Sequence, residues 1–147
     1  MQFNLNYLKR FEKQIILKKI GVNGQKKLLN SRVLIIGVGG LGCPLLTYLA
    51  ASGVGTIGIV DHDKVELSNL SRQTLFSSND LGKYKVDKAK KKIAVLNKKI
   101  KVTKFKEKIN FQNIKSIIKN FDIICDGTDD YETRYIINDQ CKKSKKT

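Results

Sequence analysis

Hydrophobic positions along the chain fall into short runs that are separated by polar stretches. Three of these runs have the length and the apolar content of buried strands, at residues 32–37, Thr56–Val60 and 121–125. A fourth strand is predicted at Lys101–Phe105, where apolar and polar residues alternate as in an edge or half-buried strand. Apolar residues at helical spacing predict helices at residues 40–52, 83–97 and 110–120, and a last helix from residue 131 to about residue 142. Such alternation of strands and helices is typical of a doubly wound parallel α/β sheet with right-handed crossovers.

The chain ahead of the first strand has a different pattern. Apolar residues between positions 5 and 30 recur at mixed helical spacing, which predicts a helical arm broken at Gly21 and Gly24. We therefore divide the chain into an N-terminal arm at residues 1–31 and an α/β domain at residues 32–147. Within the domain, residues 63–78 form a polar loop with a short turn near residues 67–73.

Basic residues outnumber acidic residues by 29 to 13 in this 147-residue chain, which gives a formal net charge of +16. Because 41% of the residues are hydrophobic, the chain can still build a core. Only four of the basic residues are Arg, and aromatic residues do not cluster among the Lys. This composition argues against nucleic acid as the main partner, whereas attraction to smaller polyanions stays open.

The cysteine count and one uncharged stretch argue against three further classes of protein. Three Cys and one His, with no C-x-x-C pair, argue against a zinc site and against a disulfide-stapled fold. Residues 33–60 carry no charge over 28 positions, but seven of these are Gly, which favours a strand–helix–strand unit over a membrane span. Since the first residues also lack the apolar region of a signal peptide, we expect no membrane association and a cytoplasmic location.

A glycine-rich motif follows the first predicted strand. Its sequence is G-x-G-x-x-G, formed by Gly37, Gly39 and Gly42, with Gly40 between the last two, and Asp61 ends the next strand. Gly37 allows a tight turn, Gly39 lets a phosphate approach the backbone, and Gly42 lets the helix pack closely on the strand. The combination predicts a Rossmann-like nucleotide site in which Asp61 accepts hydrogen bonds from a ribose, without distinguishing NAD from ATP.

The segment after Asp61 distinguishes better between ATP and NAD as the ligand. Asn69 and Arg72 are three residues apart and share a face if the turn is helical, and Lys85 follows at the start of the next helix. Amide and guanidinium groups beside an ammonium suit triphosphate oxygens or a carboxylate better than a nicotinamide cofactor. Asp63 and Gln73 belong to the same segment and complete the cofactor-binding candidates.

Four stretches of the chain resemble one enzyme family. They are RFEKQIIL at residues 10–17, VLIIGVGGLGCP at 33–44, VDHDKVELSNLSRQ at 60–73 and DGTDD at 126–130. These stretches are similar to the adenylating enzymes of the MoeB, ThiF and HesA family, relatives of the ubiquitin-activating enzymes. The resemblance extends from about Tyr7 to the end of the chain.

The resemblance implies an activity and its cofactors. In that family the fold binds ATP and Mg²⁺ rather than NAD. The enzyme adenylates the C-terminal glycine carboxylate of a ubiquitin-like sulfur-carrier protein with a Gly-Gly tail, as in molybdopterin or thiamine synthesis, and releases pyrophosphate. The resemblance therefore implies that this chain is an adenylyltransferase of the ubiquitin-like modifier-activating type.

The resemblance also assigns roles by position. It places Gly39 and Gly42 under the phosphates and Asp61 at the ribose. It implies that Asn69, Arg72 and Lys85 contact the triphosphate, with Arg72 and Lys85 as catalytic cations. It makes Asp129, in the T-D-D run after the fourth strand, the Mg²⁺ ligand, although Asp126, Asp129 and Asp130 are also suited to capping the following helix.

Two departures from the family pattern matter. The arm of the family carries R-Y-x-R-Q, and its second Arg reaches into the active site of the partner subunit of a homodimer. Here Lys13 stands at that position and Phe11 replaces the Tyr. Lys13 remains a catalytic candidate, but Lys lacks the planar fork of Arg, so we expect its contribution to be weaker or altered.

The second departure is length. Family members continue past the region matched here with further strands, a crossover loop, C-x-x-C zinc ligands and much of the carrier-docking surface. We therefore expect the sheet to be incomplete at the C-terminus, with an open edge at its last strand. None of the three Cys matches the family's catalytic Cys. Two alternatives stay open, namely a truncated, non-catalytic nucleotide-binding or dimerisation module, and, less favoured, an NAD-dependent oxidoreductase.

Overall fold

The computed structural model describes residues 5–147, and within them it contains six α-helices and four β-strands. The helices are α1 (Leu5–Ile15), α2 (Gly21–Asn30), α3 (Gly42–Ser52), α4 (Lys85–Leu96), α5 (Ile114–Ile118) and α6 (Tyr131–Ser144). The strands are β1 (Arg32–Ile36), β2 (Thr56–Val60), β3 (Lys101–Phe105) and β4 (Ile123–Asp126). Two 3-10 turns, Leu67–Asn69 and Ser78–Asp80, lie in the loop between β2 and α4.

The strands form one parallel sheet in the order β3-β2-β1-β4. In its middle rung, Ile35 of β1 lies opposite Ile59 of β2 on one side and Cys125 of β4 on the other. The predicted α/β Rossmann-like sheet is therefore confirmed. Among the described helices, none combines the length and the apolar character that a membrane crossing needs.

Hydrophobic side chains cover both faces of the sheet. On one face, Ile35 and Ile57 pack into a core with buried residues of α3 and α4, including Leu46 and Ile93. On the other face, Leu34 packs with buried residues of α5 and α6, together with Phe121. Gly58 of β2 belongs to this second face, and a Cβ there would lie 2.4 Å from the Phe121 ring. The absence of a side chain at Gly58 therefore makes room for that aromatic ring.

The N-terminal arm packs against the end of the sheet where the strands begin. Phe11 of α1 lies against Gly53, which ends α3, and Gly55 donates a backbone hydrogen bond to the Leu28 carbonyl at the end of α2. Gln25 of α2 is fully buried, and its Nε2 donates to the Ser52 carbonyl at 3.0 Å. The arm is therefore built into the core of the domain. The predicted break at Gly21 falls where α2 begins, whereas Gly24 lies within α2.

The ends of some elements differ from the predicted ones for local reasons. The predicted helix at residues 110–120 contracts to α5, because the Oδ1 of Asn110 accepts hydrogen bonds from the backbone N–H groups of Gln112 and Asn113 and forms a turn instead. The outer side of β4 has no strand beside it among the described strands. The backbone N–H of Ile124 on that side donates to the carbonyl of Thr147 at 2.7 Å.

Replacing Phe11 by Ala tests how far the arm contributes to folding. Phe11 is only 3% exposed and its ring lies 4.6 Å from the Tyr7 ring, so the variant should lose about 3–5 kcal/mol of unfolding free energy in urea denaturation. Ile16, just after α1, is 73% exposed, and Ile16→Ala should stay within about 0.5 kcal/mol of the parent chain. Similar stabilities for the two variants would show that the arm is energetically separate from the sheet.

Candidate nucleotide-binding cleft

A cleft of about 640 Å³ opens at the end of the sheet where β1, β2 and β4 finish. Parallel sheets bind their ligands at this end, because loops and helix N-termini converge there. The cleft brings together ten of the residues singled out from the sequence. They are Gly37, Gly39, Gly40, Asp61, Asp63, Asn69, Arg72, Gln73, Lys85 and Asp129.

Close backbone contacts shape the glycine-rich loop. A Cβ on Gly42 would lie 1.9 Å from the carbonyl oxygen of Gly37, so Gly42 is required for α3 to start directly beneath the loop. Gly37 itself has φ +88°, and a Cβ there would lie 2.8 Å from the Gly127 carbonyl oxygen in the loop after β4. Gly42 is buried at the start of α3 and packs as its motif position predicts, rather than lining the cleft.

Gly39 and Gly40 differ from Gly37 and Gly42 because an added Cβ at these two positions would have room. The nearest atom to a Cβ built on Gly39 is the Gln73 Nε2, at 3.8 Å. The nearest atoms to a Cβ built on Gly40 belong to the stem of the Arg72 side chain, at 3.6 Å. The loop therefore leaves space at these two positions for a ligand to approach its backbone N–H groups.

Asp61 ties the end of β2 to the glycine-rich loop. Its Oδ2 accepts a hydrogen bond from the Val38 backbone N–H at 2.7 Å, and its Oδ1 accepts one from the Asp63 backbone N–H at 2.8 Å. Each carboxylate oxygen retains a second acceptor position. Asp61 can therefore hold the loop in place and still accept a hydrogen bond from a ligand hydroxyl group.

Lys85 supplies a buried positive charge to the cleft. It is the first residue of α4, it is only 5% exposed, and its Nζ lies 2.9 Å from the Oδ2 of Asp63. The Asp63 side chain is 51% exposed and also lies near His62, with 3.4 Å between the His62 Nε2 and the Asp63 Oδ1. The Asp63 carboxylate is therefore paired with neighbouring side chains of the same chain.

The turn after β2 presents the amide and guanidinium groups. The Oδ1 of Asn69 accepts a hydrogen bond from the Glu66 backbone N–H at 3.2 Å, which fixes the 3-10 turn. The Nη1 of Arg72 donates to the Ser68 carbonyl at 3.2 Å. Gln73 is 3% exposed, and its Oε1 has no hydrogen-bond partner among the described residues. An orphaned polar atom at the wall of a cleft is typical of a site that is completed by a ligand.

The loop after β4 separates the three aspartates of the D-G-T-D-D run. Asp130 caps α6 by accepting hydrogen bonds from the Glu132 backbone N–H at 3.2 Å and from the Thr133 Oγ1 at 2.5 Å. The Oδ1 of Asp126 accepts from the backbone N–H and the hydroxyl of Thr128. Asp129 takes part in neither arrangement. Within residues 5–147 its carboxylate has no hydrogen-bond or ion-pair partner, and it lines the cleft.

Among the cleft residues that sequence reasoning missed, two carry a positive charge. Arg134 on α6 donates from its Nε and Nη2 to the Thr128 carbonyl, at 3.0 and 2.6 Å, and so braces the loop that carries Asp129. Lys108 also lines the cleft, with its Nζ 3.6 Å from the Asp130 Oδ2. Arg134 was detectable in principle because it follows the N-cap Asp130 by one helical turn, whereas nothing near Lys108 distinguished it from the other lysines.

Lys13 and the cysteines lie away from any reactive arrangement. The Lys13 side chain on α1 is 91% exposed and is not part of the cleft wall. Cys43 is buried beneath the glycine-rich loop, where burial raises the pKa of its thiol to about 11. Burial also raises the pKa of Cys125 and of Cys141. All three are free thiols held in the neutral form at neutral pH, so none is prepared as a nucleophile.

Fold and cleft together define the class of the domain. A parallel sheet, a glycine-rich loop at the start of a helix and a carboxylate at the end of the next strand make up the first half of a Rossmann-like nucleotide-binding fold. Comparison with protein-family models then identifies the family, since the ThiF family model matches residues 11–147. The chain belongs to the ThiF family.

Named relatives are similar to this chain over most of its length. It is 46% identical over 145 residues to the adenylyltransferase and sulfurtransferase MOCS3 of Culex quinquefasciatus. It is 47% identical over 139 residues to a probable molybdopterin-synthase adenylyltransferase of Porphyra purpurea. These matches cover 99% and 95% of this chain but only 33% and 36% of the relatives. The chain thus spans about a third of the length of the relatives that it matches.

Solved structures give the same picture of the fold. The E. coli tRNA N6-threonylcarbamoyladenosine dehydratase TcdA, in complex with AMP, superposes with a TM-score of 0.93 at 20% identity, over 99% of this chain and 59% of that one. E. coli MccB with ATP superposes with a TM-score of 0.86 at 30% identity, over 93% of this chain and 43% of that one.

The contrast between Gly42 and Gly39 yields a testable prediction. Gly42→Ala should lower the free energy of unfolding by about 2 kcal/mol or more, because its Cβ meets rigid backbone at the Gly37 carbonyl. Gly39→Ala should change stability by no more than about 0.5 kcal/mol, because its Cβ has room. Urea denaturation measures both variants, and equal destabilisation would contradict the different surroundings of the two glycines.

Proposed function

We propose that the cleft binds ATP and that the domain serves adenylyl transfer to the C-terminal glycine carboxylate of a ubiquitin-like sulfur-carrier protein. The observation that carries this proposal is the convergence of two cations, Arg72 and Lys85, with the amides of Asn69 and Gln73 around the open face of the glycine-rich loop. Such a cluster suits a triphosphate. Relatives named as adenylyltransferases, at 46 and 47% identity, support the same activity.

The residues of the cleft fit the parts of ATP. Asp61 would accept hydrogen bonds from the ribose, and the space at Gly39 and Gly40 would admit the phosphates to the backbone. Arg72 makes one hydrogen bond to a carbonyl and is otherwise exposed, so it can turn toward a ligand. MccB, whose solved structure with ATP is 30% identical to this chain, supports ATP as the nucleotide.

The cleft also fits a divalent cation. Mg²⁺ prefers one or two carboxylates together with substrate phosphates, and Asp129 offers an unpaired carboxylate at the cleft wall. We propose that Asp129 holds Mg²⁺. When bound, the ion would neutralise phosphate charge and so favour departure of pyrophosphate.

The proposed reaction needs positioning more than proton transfer. A glycine carboxylate is ionised at neutral pH, so it attacks the α-phosphorus of ATP without a general base. A carboxylate oxygen forms a bond to that phosphorus, the bond to the bridging oxygen breaks, and pyrophosphate leaves with the electron pair. The protein has to bring two anions together and stabilise the charge that develops, which Arg72 and Lys85 would do.

We also propose that the chain acts as a homodimer in the cytoplasm, in a pathway of the molybdopterin or thiamine type. The described part of the arm exposes four large apolar side chains, which a second copy would cover: Leu5, Ile16, Leu17 and Val22. Three free thiols are compatible with a reducing compartment.

Sedimentation at micromolar concentration is expected to show a dimer. A monomer that binds ATP would contradict a site shared between subunits and leave Lys13 without a catalytic role.

The choice of nucleotide is tested by calorimetric titration in the presence of Mg²⁺. ATP should bind more tightly than NAD, and Arg72→Ala should weaken ATP by about 1.5–3 kcal/mol, because a charge-assisted hydrogen bond is lost. Adenosine affinity should stay nearly unchanged in that variant, since adenosine lacks phosphates. Tighter binding of NAD than of ATP would favour the oxidoreductase alternative.

The adenylyl-transfer step is tested by ATP–pyrophosphate exchange with a carrier protein ending in Gly-Gly. We expect the 147 residues to bind ATP but to give no exchange by themselves, because the family resemblance assigns much of the carrier-docking surface to other parts of its members. Exchange by this chain alone would show that its own residues suffice for both binding and chemistry. In that case Arg72→Ala and Lys85→Met should each abolish the exchange.

A further inference from the structure

We infer that Asp63 is a positioning residue, which holds the Lys85 ammonium in the cleft and acts on ATP only through it. This inference rests on the proposed function, because it explains how the site keeps one of its two triphosphate-binding cations in place. It also changes the role expected for Asp63 from the sequence, where it counted as a residue that contacts the nucleotide.

The position of Lys85 is unfavourable for a cation on two grounds. Lys85 is 5% exposed, and burial disfavours a charged amine unless it is paired. It is also the first residue of α4, where the N-terminal end of the helix dipole is positive and repels a cation. Among the described residues, the carboxylate of Asp63, with its Oδ2 2.9 Å from the Lys85 Nζ, is the anionic partner that offsets both effects.

Backbone contacts fix Asp63 in the place that this pairing requires. Its carbonyl accepts a hydrogen bond from the Lys85 backbone N–H at 3.0 Å, so the start of α4 is joined to the segment after β2. Its own backbone N–H donates to the Oδ1 of Asp61 at 2.8 Å, and the Oδ2 of Asp61 accepts from Val38 in the glycine-rich loop. A single chain of hydrogen bonds therefore connects the glycine-rich loop, the ribose-binding candidate and the buried ammonium.

The opposite effect, repulsion between Asp63 and the phosphates, is the smaller one. The Asp63 side chain is 51% exposed, so water and salt screen its field in the open cleft. The Lys85 amine, in contrast, is shielded from water and depends on its partner for orientation. Removing the Asp63 charge should therefore weaken ATP binding rather than strengthen it.

The test is a double-mutant cycle read by calorimetric titration of the full chain with ATP and Mg²⁺. Asp63→Asn should weaken ATP about tenfold, the change expected from disturbing one charge-assisted hydrogen bond, and should leave adenosine within about twofold. In a Lys85→Met background, Asp63→Asn should have no further effect on ATP, because the residue through which Asp63 acts is absent. Asp63→Glu, which keeps the carboxylate, should restore most of the affinity.

Two further variants separate this role from a general effect on charge or folding. Asp87 lies two residues after Lys85 on α4 and pairs with Lys104 and Lys106, outside the cleft wall. Asp87→Asn removes the same charge and should leave ATP affinity within about twofold. Asp63→Ser is measured beside Asp63→Asn, with urea denaturation of each, so that the result does not depend on the stability of one variant.

The outcomes distinguish this inference from the proposed function. Failure of the parent chain to bind ATP would overturn both. If ATP binds and Lys85→Met weakens it, but Asp63→Asn weakens it equally in both backgrounds, the inference alone is overturned, because Asp63 then contacts the nucleotide itself. Tighter ATP binding by Asp63→Asn would likewise overturn it by showing that repulsion dominates.

Discussion

The candidate site depends on one close approach between backbone segments, where the glycine-rich loop, the start of α3 and the loop after β4 meet. A Cβ on Gly42 would lie 1.9 Å from the Gly37 carbonyl oxygen, and one on Gly37 would lie 2.8 Å from that of Gly127. Only residues without side chains permit this contact. Its consequence is that the N-terminus of α3 points at the cleft and that the loop carrying Asp129 lies beside it. The side chains that line the cleft therefore lie close enough together to surround one ligand.

Charges in the cleft differ in how firmly they are held, and this difference has a physical origin. Lys85 and Asp61 are buried and have partners with fixed geometry, so their positions are determined before any ligand arrives. Arg72 and Asp129 are exposed, and among the described residues Arg72 has one hydrogen bond, to a carbonyl, and the Asp129 carboxylate has none. The Lys85 ammonium is held in place, whereas the exposed Arg72 and Asp129 side chains can adjust. This combination suits a ligand that binds first and whose charge distribution then changes during a reaction. Burial is thus what divides the site into fixed and adaptable parts.

Most of the fold and the glycine-rich part of the site could be predicted because their signals are local in sequence. Three apolar runs and one alternating segment identified the strands, and Gly37, Gly42 and Asp61 follow a spacing that one strand, one turn and one helix impose. Features that arise from packing could not be predicted in this way. Gln25 is a polar residue on a mostly polar helix, yet it is fully buried against Ser52. Asp63 and Lys85 are 22 residues apart, and their pairing follows only from the backbone hydrogen bond that joins the segment after β2 to α4.

The distance between the arm and the cleft limits what the arm residues can do. The arm packs where the strands begin, through contacts such as Gly55 with Leu28, whereas the cleft lies where the strands end. A five-residue strand spans about 16 Å, so Lys13 on the exposed face of α1 is remote from the cleft of its own chain. Any contribution of Lys13 to catalysis therefore requires a second copy of the chain. A catalytic role for Lys13 therefore depends on the oligomeric state. The buried side chains of Tyr7, Phe11 and Gln25 show that the arm also has a structural role within a single chain.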